Sequence, residues 1–145
     1  MAETKKTEKT FLTVEDMMSL DRGKLEEKPT RDVRAKHLSE LFGRDVYVKM
    51  EALSGNRYTR IMMEADDHPE KLYDTQAKLV SSSIIEPNLS DPKLMKYFGV
   101  ASPFDVVKLC FPGGEMPAMA TIVAKLSGYI TEDGEPINLD EEIKN

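Results

Sequence analysis

The chain has 145 residues, a length typical of one domain, and carries 20 Lys and Arg against 26 Asp and Glu, for a formal net charge of −6. Its 40% hydrophobic residues include no Trp, which predicts a mainly aliphatic core in a soluble, acidic globular protein. The single cysteine, Cys110, excludes an internal disulfide and a multi-cysteine zinc site, so the composition favours a reducing cytoplasm.

Charge is unevenly distributed along the chain. Residues 131–145 hold six acids and one Lys, so the tail is acidic while the body is nearly neutral. The sequence contains no apolar run near the ~18 residues of a membrane span, no signal-peptide pattern, and no basic stripe with interleaved aromatics. We therefore expect neither a membrane nor a nucleic acid as partner.

The first third of the chain predicts one short helix and two strands. Thr13 is a candidate N-cap for a helix whose apolar face is Val14, Met17 and Met18, and residues 25–30 resemble a linker. Residues 32–37 predict a short strand, and residues 38–43 a helical turn closed by Gly43. Residues 44–53 alternate strictly and predict a half-buried strand. Its apolar side consists of Val46, Val48, Met50 and Ala52.

The remainder of the body has helical periodicity. A helix capped by Ser54 is followed by one that begins at a capping box of Asp67 and Glu70, and two further helices begin near Ser90 and Ser102. A last helix covers residues 115–127. The predicted apolar stripes are Tyr58, Ile61, Met62 and Ala65; Tyr73, Ala77, Val80 and Ile84; Phe104, Val106, Val107, Leu109 and Cys110; and Met116, Met119, Ala120, Val123 and Leu126.

These elements predict a mainly helical α+β fold, with a small antiparallel β element near the N-terminus followed by four or five short helices. Residues 1–30 are expected to form a flexible arm with one short helix at most. Residues 31–129 are expected to form the globular domain, and residues 130–145 a flexible acidic tail.

A search for chemistry finds no catalytic, cofactor or metal constellation. His68 lies among acids, but these have helix-start roles and no spaced His or Cys completes a metal site. His37 has no recognisable partner, and Cys110 lies near a helix C-terminus, where the dipole disfavours a thiolate. The serines at 81–83 lack the glycines of a nucleophile elbow, and residues 112–115 lack the Lys of a P-loop, so an enzyme is the less favoured class.

Methionine is unusually frequent, with nine in the chain. Met is a flexible residue that fills core gaps, and core packing is the favoured explanation for most of the nine. Met17 and Met18, and likewise Met62 and Met63, are adjacent on predicted helices and point about 100° apart, so one of each pair can face outwards. We therefore expect these four residues to contribute to a partner-binding surface.

Two series of segments resemble, in order, the sequence of a phage protein family. Residues 37–43, 46–53 and 54–58 are similar to its opening of a leucine-rich turn, a strand, and Ala-Leu-Ser-Gly leading into a helix. Residues 86–100, 102–109, 112–115 and 122–129 are similar to its closing half, including Tyr-Phe-Gly-Val, Pro-Gly and Leu-Ser-Gly-Tyr. The family is that of the XkdN-like tail assembly chaperones of contractile-tailed phages and defective prophages. The chain departs from its pattern at Leu89, where an aromatic is common, and at the additional Gly114.

The resemblance implies a non-enzymatic protein that acts in the host bacterial cytoplasm during tail assembly. It implies binding to the phage tape measure protein while tail tube subunits are recruited, self-association in some cases, and absence from the finished particle. It brings with it no catalytic residue, cofactor or metal. The main alternative is a structural tail-completion or head–tail component, which would persist in purified virions. An enzyme would require a polar pocket with shifted pKa values around His37, His68 or Cys110.

Overall fold

A computed structural model describes residues 9–65 and 68–139, and within them it has eight α-helices and three β-strands. The helices are α1 Val14–Met18, α2 Arg22–Glu26, α3 Lys36–Phe42, α4 Gly55–Met63, α5 Leu72–Ser83, α6 Pro92–Phe98, α7 Pro103–Cys110 and α8 Glu115–Leu126. The strands are β1 Thr30–Arg34, β2 Tyr47–Glu51 and β3 Ile84–Glu86, and a 3-10 turn at Pro69–Lys71 precedes α5. The predicted mainly helical α+β class is confirmed.

The three strands form one antiparallel sheet in the order β1-β2-β3. The central strand, β2, buries Val48 and Met50 on one face and leaves Tyr47 exposed on the other, which confirms the alternation read from the sequence. On β1, Val33 lies opposite Val48 and is half-buried against the core. The sheet therefore contributes one apolar face to the core.

Strand β3 was not predicted, because Ile84 was assigned to the end of a helical stripe. Helix α5 ends at Ser83, and Ile84 has extended backbone angles and pairs with Met50 of β2. Two consecutive β-branched residues before Glu86 and Pro87 favour an extended chain, since the residue before a proline avoids helical angles. Ile84 is still buried, as predicted, but it reaches the core from a strand.

The predicted strand at residues 32–37 is wrong in its bounds. Strand β1 ends at Arg34, and Lys36 and His37 begin helix α3, which Gly43 closes in the left-handed conformation as predicted. Helix α3 has Ala35 at its N-cap, so no local side chain caps it. The N-terminal arm was expected to hold one short helix, but it has two, and the second, α2, extends to Glu26, so the predicted linker at residues 25–30 begins too early.

Helix α5 is central to the helical layer and packs against α4, α7 and α8. The predicted buried stripe of α8 is confirmed in full, from Met116 to Leu126. Three residues of the other predicted apolar stripes are exposed, namely Met62 on α4, Tyr73 on α5 and Leu109 on α7. Tyr73 lies in the first turn of α5, where the Lys108 ammonium is 5.8 Å from the ring centroid, and Leu109 points away from the side of α7 that buries Val106 and Val107.

Local capping agrees with the sequence at several helix ends. Thr13 and Asp16 cap α1 reciprocally, and the Ser54 hydroxyl accepts a hydrogen bond from the Arg57 N–H of α4. At α6 the cap is Asp91 and not Ser90, because the Asp91 carboxylate accepts from the Lys93 N–H. The proposed Asp67 cap lies outside the described residues.

Beyond α8, Ile130 pairs with Pro136, and Glu132 forms a salt bridge with Arg31 of β1.

Candidate partner-binding surface

The four methionines singled out from the sequence are all exposed. On α1, Met17 is 56% and Met18 is 78% exposed, and on α4, Met62 is 40% and Met63 is 69% exposed. The sequence argument required only one exposed member of each pair. Both members are exposed because α1 buries none of its residues and α4 buries Ile61 alone.

An aromatic stack extends the apolar surface beside Met62 and Met63. The rings of Tyr58 on α4 and Tyr129, which follows α8, are nearly parallel, with centroids 4.0 Å apart and planes inclined by 12°. The Tyr129 hydroxyl donates a hydrogen bond to the Gly55 carbonyl at 3.4 Å. Burial, and secondarily Tyr129, raise the pKa of Tyr58, so its phenol stays neutral. The stack thus gives this surface an aromatic wall.

Two adjoining concavities share Tyr58 and Met62. One, of about 380 Å³, is bounded by Tyr58, Thr59, Met62, Met63 and Tyr129. The other, of about 230 Å³, continues between α4, α5 and α8; it is lined by Tyr58, Met62, Leu72, Thr75, Gln76, Leu79, Pro117, Ala120, Thr121, Ala124 and Ile130. We call the exposed surface formed by Tyr58, Met62, Met63 and Tyr129 the α4 surface. Its shallow, open shape suits an apolar side chain or helix face better than a small polar ligand.

Positive charge lies on another side of α4, where Arg57 and Arg60 line a separate concavity of about 310 Å³ with Ile61, Lys78 and Phe104. Helix α4 contains Arg57 and Arg60 and no acidic residue within its bounds. The Arg57 guanidinium donates a hydrogen bond to the Ser82 hydroxyl at 3.2 Å, and Arg60 has no carboxylate partner among the described residues. The neighbouring Glu64 is already paired with Lys78. The α4 surface is therefore mainly apolar and aromatic, and the two arginines belong to the neighbouring concavity.

The two histidines considered in the sequence analysis lie on or beside helices. His37 is half-buried on α3, and His68 Nδ1 lies 3.4 Å from a Glu70 carboxylate oxygen. No group of three His, Cys, Asp or Glu residues suited to a metal occurs within residues 9–65 and 68–139. Asp66 and Asp67, which the sequence places beside His68, lie outside the described residues.

Cys110 ends α7 in a partly buried position. Burial, and secondarily the charge of Glu115, raise the pKa of its thiol, which disfavours the nucleophilic thiolate. Among the three serines, Ser83 is fully buried and donates a hydrogen bond to the Glu51 carbonyl at 2.7 Å. Ser83 therefore ties α5 to β2.

Glu115 has a structural role that sequence reasoning did not predict. Its carboxylate accepts hydrogen bonds from the backbone N–H groups of Lys36 at 2.7 Å and His37 at 3.1 Å, across 79 and 78 residues. It supplies the cap that Ala35 cannot provide. The cavity beside it, of about 510 Å³, lies between α3 and α8, and its charged members Arg34 and Lys36 are paired with Asp45 and Glu40.

Sequence reasoning missed other exposed apolar pairs. Leu41 and Phe42 end α3, and Tyr97 and Phe98 end α6, with all four side chains exposed. The Arg44 guanidinium lies 5.4 Å from the Phe42 ring centroid. Their adjacency was the available signal, as it was for the methionines.

No helix in the part of the chain that the structure describes has the length and apolar character to cross a membrane.

The fold and this surface define a mainly helical α+β domain with an apolar face beside a small sheet. Comparison with solved structures finds the same fold in another protein. The crystal structure of the protein YqbN, a structural genomics target, matches with a TM-score of 0.58 at 15% identity, covering 83% of this chain and 99% of that one. A family model described as phage XkdN-like tail assembly chaperone protein matches residues 14–144. The chain belongs to this family of phage tail assembly chaperones. No curated protein matches the chain.

Proposed function

We propose that the chain binds the tape measure protein of a contractile-tailed phage and assists assembly of the tail tube, without becoming part of the mature virion. The family match over residues 14–144 carries this proposal. In this proposal the protein acts in the host bacterial cytoplasm by binding and not by catalysis. The second partner in this proposal is a tail tube subunit.

The exposed apolar surface supports a binding role. Tape measure proteins are long and aggregation-prone, and a chaperone for them needs apolar side chains that adapt to many sequences. Flexible Met side chains suit this task, and Met17, Met18, Met62 and Met63 are exposed on short helices. We propose that these four residues contact the tape measure protein.

The first experiment co-expresses the full chain with the tape measure protein of the same phage and measures how much of the latter stays in the supernatant and co-purifies. The wild type is expected to raise the recovered fraction, and a Met62→Gln/Met63→Gln variant to lose most of that gain. Leu41→Gln/Phe42→Gln is the matched control, because it also replaces two adjacent, exposed apolar residues at a helix end. Equal loss in the two variants would contradict a specific role for the methionines.

The second experiment separates the chaperone from a structural tail-completion or head–tail component. Virions are purified from infected or induced cells, and the copy number of this chain is compared with that of the tape measure protein by quantitative mass spectrometry. The proposal expects the chain in the lysate and not in the particle. A fixed copy number per virion would favour the structural alternative.

A further inference from the structure

The concavity on the arginine side of α4, of about 310 Å³, gathers positive charge from two helices. Its polar lining consists of Arg57 and Arg60 of α4, Lys78, Ser81 and Ser82 of α5, and Ser90 before α6, and we call it the basic concavity. None of the described residues that line it is an acid. Because the chain as a whole has a net charge of −6, three cations around one hollow run against its overall charge.

Folding brings these cations together at an electrostatic cost. Arg57 and Arg60 are three residues apart on one helix, a spacing at which like charges repel each other. Glu64 lies four residues after Arg60, at the spacing of a helical ion pair, but its carboxylate pairs with Lys78 instead. Two of the three cations, Arg57 and Arg60, therefore have no carboxylate partner among the described residues.

Neighbouring groups hold two of the cations in place. The Arg57 guanidinium donates its hydrogen bond to the Ser82 hydroxyl at 3.2 Å, and Lys78 Nζ lies 5.3 Å from the Phe104 ring centroid. Since the Ser82 oxygen accepts from Arg57, its own hydrogen is free to donate to a ligand. The Ser90 hydroxyl makes no hydrogen bond with any described residue. The basic concavity therefore offers positioned donors and requires acceptors.

Charge and size together select the kind of occupant. Carboxylates supply negatively charged acceptor oxygens, and a guanidinium binds them through two parallel hydrogen bonds. A nucleic acid or an anionic membrane is disfavoured, because such an extended polyanion would also meet the acidic remainder of the chain. The concavity is at the small end of ligand pockets, and Ile61 and Phe104 add apolar contact. It therefore suits a short acidic peptide segment that has an apolar side chain beside its carboxylates.

We propose that the basic concavity binds an acidic segment of a partner protein, with carboxylates on Arg57 and Arg60 and an apolar side chain against Phe104. The partner is the tape measure protein, an identity that rests on the proposed function. The α4 surface, with Met62 and Met63, lies on a different side of α4, so the two contacts can be altered separately. Binding at the basic concavity should weaken as salt is added, because its charges are exposed to solvent.

The site is tested first with a synthetic probe and the purified full chain. The probe is the fluorescein-labelled peptide Ser-Glu-Leu-Glu-Glu-Leu-Ser, and its twin has Gln in place of each Glu. Fluorescence anisotropy at low salt is expected to give the twin a dissociation constant at least about tenfold higher than that of the acidic probe. Arg57→Gln/Arg60→Gln is expected to raise the constant of the acidic probe by at least about tenfold.

The matched control is Lys93→Gln/Lys96→Gln on α6, which also removes two exposed cations three residues apart on a helix. It is expected to leave the dissociation constant of the acidic probe unchanged, because neither lysine lines the basic concavity. Gln is a good helix former, and circular dichroism checks that both variants keep the fold.

The acidic tail of the chain itself is the competing occupant. Asp140→Asn/Glu141→Gln/Glu142→Gln, made in the full chain, changes three acids that lie outside the described residues. The proposal expects this variant to bind the acidic probe as the wild type does. A tenfold gain in affinity, by about 1.4 kcal/mol, would mean that the tail already fills the basic concavity, and would overturn the proposal.

Three further results would overturn it. These are equal affinity for the acidic probe and its twin, wild-type affinity in the arginine variant, and equal weakening in the lysine control. The partner is tested separately in the co-expression assay, where the arginine variant is expected to recover less tape measure protein than the wild type. If the wild type recovers none while the probe results hold, the proposed function fails and the acidic-segment site stands. If the arginine variant recovers as much as the wild type, this proposal fails and the proposed function stands.

Discussion

Replacing Glu115 by Ala is expected to destabilise the protein through a helix that lies 79 residues away in sequence. The substitution removes the acceptor for the first two backbone N–H groups of α3, and Ala35 offers no replacement. Loss of an N-cap costs about 0.5–2 kcal/mol, and hydrogen bonds to charged groups contribute about 1.5–3 kcal/mol. Because water partly replaces the lost acceptor at this half-exposed site, we expect a decrease of about 1–2 kcal/mol in the free energy of unfolding.

The decrease is measured by urea denaturation, and in a chain of this size it corresponds to a fall in Tm of about 2–8 °C. Native-state hydrogen exchange gives a local readout, since the Lys36 and His37 amides should exchange faster. Glu115→Gln keeps the length of the side chain but removes its charge. Its free energy of unfolding is expected to lie between those of the wild type and Glu115→Ala. Glu40→Ala is the control, because Glu40 forms an exposed salt bridge with the Lys36 ammonium four residues earlier, a kind of pair that contributes about 0.3–0.5 kcal/mol. A Glu115→Ala effect no larger than that of Glu40→Ala would refute the capping argument.

Three further predictions concern single side chains. Ser83→Ala should lower the free energy of unfolding by about 1–3 kcal/mol in urea titrations, since the partly buried Glu51 carbonyl loses the donor that the buried Ser83 provides; a change below about 0.3 kcal/mol would contradict this. The hydrogen bond from Lys108 lowers the pKa of Asp74, so the unfolded state binds more protons just below its ordinary pKa. Stability should therefore fall as pH drops through the folded pKa, and Asp74→Asn should flatten that dependence; equal acid profiles would contradict it. Because burial raises the pKa of Cys110, the rate of its alkylation should rise at higher pH in the native than in the urea-unfolded chain; superimposable profiles would count against this.

Local signals were sufficient to predict most helix ends. The Thr13 and Ser54 caps and the Gly43 stop depend on residues within one turn, and each was predicted correctly. The boundary between β1 and α3 was not predictable in this way, because the cap of α3 comes from Glu115 at the start of α8. A carboxylate that acts across 79 residues leaves no pattern near the helix that it stabilises.

The candidate surface was predictable in part. Adjacent methionines on a helix point about 100° apart, so one of each pair was predicted to be able to face outwards, as Met63 does, whereas Met62, assigned to the apolar stripe, is also exposed. The Tyr58 and Tyr129 stack was not predictable, since it joins α4 to the segment after α8. Whether partners bind there stays a prediction, and the Gln variants described above test it.

Helices α4 and α8 show why periodicity alone does not distinguish a core helix from a binding helix. Both have apolar residues at helical spacing, yet α8 buries six side chains and α4 buries only Ile61. Helix α8 packs against both α5 and β2, whereas α5 is the main neighbour of α4, so one apolar stripe is covered and the other is only partly covered. Leaving Met62 and Met63 uncovered forgoes stabilisation of about 25 cal/mol per Å² of apolar surface. Because these side chains contribute little to the core, polar replacements there should affect association with a partner much more than folding. Partner binding and stability can therefore be measured separately on α4.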